Sequence, residues 1–162
     1  MGIREAEHRD LPVILDIMND AILNTTSIYD YKIRSLEFAE NWFHKKKADN
    51  MPVLVADIDN SAVAFGSYGI FRPWDAYKFS VEHSIYVHRD LRGQGIGKQL
   101  LVALIERARQ DGYHTMIAGI DAANEKSCEF HQKLGFVEVG KFKQVGYKFD
   151  QWLDLVFMQL ML

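Results

Sequence analysis

Ser84-Ile85-Tyr86-Val87-His88-Arg89-Asp90-Leu91-Arg92-Gly93-Gln94-Gly95-Ile96-Gly97-Lys98 is the stretch on which the reading of this chain turns. An apolar strand leads into a glycine-rich turn. Beyond the turn, Leu100, Leu101, Leu104, Ile105 and Ala108 recur at helical spacing until Gly112. The N-terminus of a helix presents backbone N–H groups without intrahelical acceptors and a partial positive charge. Gly93, Gly95 and Gly97 let that backbone approach an anion with no Cβ in the way. Arg92 and Lys98 add charge, so the construction suits a pyrophosphate. It is not a Rossmann fingerprint, which needs G-x-G-x-x-G in a parallel sheet, nor a Walker loop, because Gly97-Lys98 is followed by Gln99.

Working outward from the turn, Ser80 to Val87 forms a strand preceded by two more, Pro52 to Ile58 and Ala62 to Phe71. The turn residues Asp59 and Asn60 separate that first pair, which makes an antiparallel meander. Upstream, Ile3 to Glu7 is a short strand. Asp10 is placed to cap a helix carrying Leu11, Ile14, Leu15, Met18, Ala21 and Ile22, and Ser35 to cap a second helix running to about Lys47. Asn24 to Arg34 links the two helices as an aromatic-containing loop long enough to cover a ligand. Downstream, Thr115 to Ile120 is a strand, Asn124 to Leu134 a helix stopped by Gly135, and Phe136 to Phe142 and Trp152 to Leu160 the last strands. The order β-α-α-β-β-β-α-β-α-β-β describes one mixed α/β domain over residues 1–162.

The chain has 162 residues, 48% of them hydrophobic, enough to bury a core unaided. Its net charge of -3, from 19 basic and 22 acidic residues, supplies no field for nucleic acid or an anionic membrane, and no apolar run is long enough to span one. The expected partner is a small molecule. Lys45-Lys46-Lys47, at a helix end, is expected to face the helix dipole and water. The single cysteine, Cys128, allows no internal disulfide, and the six histidines show no metal-ligand spacing, so no metal is expected. A cytoplasmic location follows from the same features.

Arg92-x-x-Gly95-x-Gly97 resembles the cofactor signature of the GNAT superfamily of N-acetyltransferases. Asn124 to Phe136, NEKSCEFHQKLGF, is similar to a second GNAT segment. The closer resemblance is to the phosphinothricin and methionine sulfoximine/methionine sulfone acetyltransferase branch. It rests on Asn24-Thr25-Thr26, Tyr68-Gly69, Arg72-Pro73, Val81 to Val87, Val145 to Phe149 and Trp152-Leu153-Asp154. The resemblance implies the GNAT fold, a twisted, mostly antiparallel sheet of seven strands flanked by four helices. It also implies acetyl-CoA as acetyl donor, a small amino-acid-like amine as acceptor, and a homodimer, with Tyr147, Phe149 and Trp152 reaching a partner or closing the active site unless they simply pack in the core.

Alternation along Val81 to Val87 puts Glu82, Ser84 and Tyr86 on one face and Val81, His83, Ile85 and Val87 on the other. By resemblance, this strand parts from the fifth. Ile85, Tyr86 and Val87 then contact the pantetheine arm, as does Asn124, while Arg92, Gly93, Gln94, Gly95, Ile96, Gly97 and Lys98 hold the pyrophosphate. Arg72, Pro73 and Trp74 flank the acceptor on one side and Glu82, His83 and Ser84 on the other, with Arg72 pairing its carboxylate. Glu82 is the candidate general base and His131 the candidate proton donor to the leaving thiolate. A solvated strand carboxylate and a packed helix histidine are the plainer readings of these two residues. An acceptor amine on a protein N-terminus or lysine, or a non-catalytic acyl-CoA sensor, also fits the pattern.

Overall fold

In the computed structural model, which describes residues 1–162, seven strands form one sheet: β1 (Gly2–Glu5), β2 (Val53–Ile58), β3 (Ser61–Ile70), β4 (Ser80–Val87), β5 (Thr115–Asp121), β6 (Val137–Lys148) and β7 (Gln151–Met161). Their spatial order is β1-β2-β3-β4-β5-β7-β6. Every neighbouring pair is antiparallel except β4 and β5. A parallel pair needs a crossover, and helix α3 (Ile96–Gln110) supplies it. The other helices are α1 (Leu11–Asn24), α2 (Leu36–Ala48) and α4 (Glu125–Gln132).

Alternation along the strands sends side chains to two separate cores. Ala56 and Ala64, directly opposite one another, face α3, where Leu100, Leu101, Leu104 and Ala108 are fully buried. Their neighbours Val55 and Phe65 face the other way, onto Leu11, Ile14 and Ile17 of α1 and Phe43 of α2. The small residues on the α3 side bring that helix down onto the sheet, and so fix the height of the glycine turn at its N-terminus. The β2–β3 hairpin closes through Asp59 and Asn60 at φ 51° and 65°, the left-handed pair that matches the twist of the strands. Ser35 caps α2, accepting from the Phe38 amide at 3.1 Å.

Three local expectations are corrected. Asp10 does not cap α1. It ends a short 3-10 turn, and its buried carboxylate accepts from the Arg4 guanidinium at 2.7 and 2.9 Å and from the Glu7 amide at 2.8 Å, pinning β1 to the helix. Lys46 does not face water. It lies beneath the sheet with its ammonium donating to the Tyr68 carbonyl at 2.8 Å, and burial lowers its pKa to about 8. The sixth strand does not stop at Phe142 but continues to Lys148. A bulge with Gln144 at φ 52°, its amide held by Asp154 Oδ1 at 2.8 Å, breaks the apolar alternation and lets pairing resume at Gly146.

Gly66 on β3 lies where α3 presses hardest. A Cβ there would meet Ile85 Cγ2 and Leu104 Cδ1, each at 2.8 Å. Gly66→Ala is expected to destabilise the fold by about 1–3 kcal/mol through overpacking, read from urea unfolding. A change under a few tenths of that would show that α3 has room to move.

Candidate active site

The parallel pairing of β4 with β5 covers only Ser80↔Thr115, Val81↔Met116 and Glu82↔Ile117. Past Glu82 that edge of β4 has no backbone neighbour, while β5 stays paired with β7 as far as Asp121. The strands therefore open into a wedge. A cavity of about 350 Å³ fills it, bounded by Glu82 to Val87, by Ala118 to Asp121, and by Asn124, Phe130 and His131.

Thr26, Ser27 and Tyr29, from the loop between α1 and α2, roof the cavity. Thr26 donates to Asp121 Oδ2 at 2.5 Å, and the buried Lys148 donates to the carbonyls of Thr25 and Ile28, each at 2.7 Å. Burial depresses the Lys148 pKa, and two carbonyl acceptors take the place of water around its ammonium. The loop expected to cover a ligand is thus tied down from two sides.

Glu82 stands at the apex of the wedge, where the last paired residues of β4 and β5 meet. Burial raises its carboxyl pKa, and the positive charge of Arg72 opposes that rise. Gly119 on β5 makes room for it, since a Cβ at 119 would lie 3.0 Å from Glu82 Oε1. Thr26 and Tyr29 belong to the loop expected to cover a ligand, whereas Gly119 and Asp121 escaped the sequence reading. Only Gly119 carried a signal, a glycine inside a strand, which marks close approach of another group.

His83 points to the opposite face, as alternation requires, and is buried. It stacks on the His131 ring at 5.2 Å and meets the edge of Phe136 at 5.6 Å. His131 Nδ1 lies 2.7 Å from the Ser127 carbonyl, an acceptor, so this nitrogen carries the proton. His131 Nε2 must then accept, and the Nε2 of His83, 3.2 Å away, donates to it. That leaves His83 Nδ1 as a lone pair with no partner, the one buried side-chain polar atom in this condition. Burial favours the neutral form of both rings, lowering His131 and driving His83 down to about 3.

At the glycine turn, Gly93 and Gly95 both adopt φ of 81°, the left-handed region open to glycine. None of the amides of Gly93, Gln94, Gly95, Ile96, Gly97 and Lys98 donates to a protein acceptor. The Ile96 side chain is buried in the core, so only its amide is on offer. Arg92 donates through Nη2 to Asp20 at 2.6 Å and through Nε to the Val87 carbonyl at 3.2 Å. A second cavity, of about 290 Å³, joins Arg92 to Ile85, Tyr86 and Val87, and Asn124 belongs to both cavities. Glu82 to Val87, Asn124, His131 and Arg92 are thus brought together. Arg72, Pro73 and Trp74 are not in the cavity wall; they lie on the exposed loop after β3, with the Arg72 guanidinium 5.1 Å from the Phe71 ring.

A wedge between two parallel strands, ending at the exposed amides of a helix N-terminus, is a site for an extended ligand with an anionic end. Residues 15–136 match the model of the acetyltransferase (GNAT) family. The chain belongs to that family. A Pseudomonas aeruginosa L-methionine sulfoximine/L-methionine sulfone acetyltransferase is 47% identical over 98% of this chain and 93% of its own length. Among solved structures, a Brucella melitensis ribosomal-protein-alanine N-acetyltransferase superposes with a TM-score of 0.98 at 46% identity over the whole of both chains. A Sinorhizobium meliloti phosphinothricin acetyltransferase in complex with acetyl-CoA does so with 0.96 at 35% identity, over 99% of this chain and 88% of that one.

The buried imidazole pair has a consequence for stability. The unfolded state takes up a proton at His83 near pH 6.5, whereas the folded state resists it down to about 3. Stability is therefore full above 6.5 and falls as the pH drops through that window, by up to about 1.4 kcal/mol per pH unit for each such histidine. Urea unfolding between pH 7 and 5 is expected to show a shallower loss for His83→Phe than for the wild type. Equal slopes would contradict burial of a neutral ring.

Proposed function

We propose that this acetyltransferase moves the acetyl group of acetyl-CoA to the α-amine of a small amino acid or analogue, such as L-methionine sulfoximine, L-methionine sulfone or phosphinothricin. The wedge between β4 and β5 carries this reading. Its free strand edge at Ile85 to Val87 offers backbone groups to an amide-bearing pantetheine arm. Asn124 sits where the two cavities meet, and Arg92 with the unpaired amides of Gly93 to Lys98 suits the pyrophosphate. When bound, the donor supplies an activated thioester carbonyl.

The residues of the chain supply the rest. An ammonium ion is no nucleophile, and Glu82, whose half-buried carboxyl has a raised pKa, accepts its proton directly or through water. A backbone N–H at Ile85 to Val87 polarises the acetyl oxygen. His131, neutral at rest, relays a proton to the departing thiolate: its Nε2 lone pair, once the bond from His83 opens, takes up the proton the amine loses on attack, and the imidazolium so formed protonates the sulfur. Arg72, whose charge already acts on Glu82, receives the acceptor carboxylate, with Pro73 and Trp74 beside it and His83 and Ser84 across from it.

The name of the Brucella melitensis structure favours a second reading, a protein N-terminus as acceptor. A cavity of about 350 Å³ under a roof held by Lys148 and Asp121 fits a small amino acid better than a chain end. We further place the enzyme in the cytoplasm as a homodimer that detoxifies amino-acid analogues. The exposed Tyr147, Phe149 and Trp152 on the β6–β7 hairpin support that assembly, and no helix is long and apolar enough to cross a membrane.

Thiol release from acetyl-CoA, measured across these three analogues, ordinary amino acids and N-terminal peptides, tests the acceptor. Turnover confined to the amino-acid class is expected, and turnover of peptides alone would overturn it. Glu82→Gln is expected to lower kcat about a hundredfold or more while leaving coenzyme A binding unchanged. Unaltered turnover would remove Glu82 from the reaction.

A further inference from the structure

Asp20, in the last turns of α1, is a carboxylate only 8% exposed, far from the Glu82 cavity apex in sequence and lining neither cavity. Its Oδ1 accepts from Asn24 Nδ2 at 2.9 Å and lies 3.5 Å from Arg89 Nη1; its Oδ2 accepts from Arg92 Nη2 at 2.6 Å. The Asn24 hydrogen bond and then Arg92 hold its pKa below the usual carboxylate range, so it stays charged. An ion pair with only its carboxylate buried is weak evidence of stabilisation. It does fix geometry.

The guanidinium of Arg92 is planar, and the two bonds to Asp20 and to the Val87 carbonyl occupy its Nε–Nη2 edge. Nη1 has no protein partner, and the side chain is 45% exposed beside the second cavity. Without the clamp, a long and flexible side chain would sweep through solvent rather than stand over the turn. The carboxylate weakens the local positive potential, so its benefit to an anion is orientation of the arginine and not charge.

We propose that Asp20 is a positioning residue for the acetyl donor, acting through Arg92: it holds the guanidinium by one edge so that the free edge meets the pyrophosphate. This rests on the reading of the glycine turn as the pyrophosphate site. Titration calorimetry with coenzyme A, together with steady-state kinetics, tests it in Asp20→Ala, Arg92→Ala and the double variant. Asp20→Ala is expected to raise the Kd for coenzyme A about tenfold, with the amine KM and the kcat at saturating acetyl-CoA within about twofold of wild type.

In the Arg92→Ala background the same change is expected to add almost nothing. An unchanged or tightened Kd in Asp20→Ala, or an equal weakening with and without Arg92, would overturn the proposal and leave Asp20 as a support of α1. If Arg92→Ala itself leaves the Kd unchanged, the pyrophosphate reading fails along with it, a result distinguishable from failure of Asp20 alone. Should Asp20→Ala not fold, Asp20→Asn keeps the volume, loses the charge-assisted bond and carries the same comparison.

Discussion

The parting of β4 from β5 after Glu82↔Ile117 is the constraint on which the rest of the molecule depends. A sheet ordinarily gains by pairing every edge, and backbone groups left unpaired away from water are costly. Here the two strands run parallel for three residue pairs and then diverge. α3, seated close on Ala56, Ala64 and Gly66, holds β4 in place, while β5 is held by its long antiparallel pairing with β7. The open edge of β4 is thus supported from outside the wedge, and a ligand with its own amides can complete the pairing.

Electrostatic character changes along the wedge. Its deep end holds the Glu82 carboxylate, suited to an amine; beyond its open end stand Arg92 and six uncommitted amides, suited to an anion. In the wall of the same cavity, the stacked His83 and His131 stay neutral because burial penalises either charge. The roof loop, tied down by Lys148 and Asp121, borders both cavities: Thr26 and Ser27 line the one at Glu82 and, with Thr25, the one at Arg92.

What the sequence made legible was whatever one element decides by itself. The alternation of β4, the amphipathic face of α3, the Ser35 cap and the Asp59-Asn60 turn all stand as read. What it hid were partnerships across the fold. Asp10 looked like a cap because its position before α1 is visible and the competing guanidinium of Arg4 is not. Lys46 looked solvated within a basic run, yet the Tyr68 carbonyl on β3 draws it inward. Lys143 and Gln144 looked like the end of a strand where they form a bulge within one. The candidate site was legible along β4, the turn and α4, whose motifs are contiguous. The roof was legible as a loop but not by its ties to Asp121 and Lys148, and Gly119 was not legible at all, because these enter the site only through the topology of the sheet.

Hydrogen exchange followed by mass spectrometry, with and without coenzyme A, tests the wedge most directly. Protection is predicted at the amides of Ile85 to Val87 and of Gly93 to Lys98, with β1, β2 and the β6–β7 hairpin unchanged. Binding that leaves those two segments exchanging freely, or that protects the β6–β7 hairpin instead, would contradict the assignment of the β4–β5 opening as the donor site.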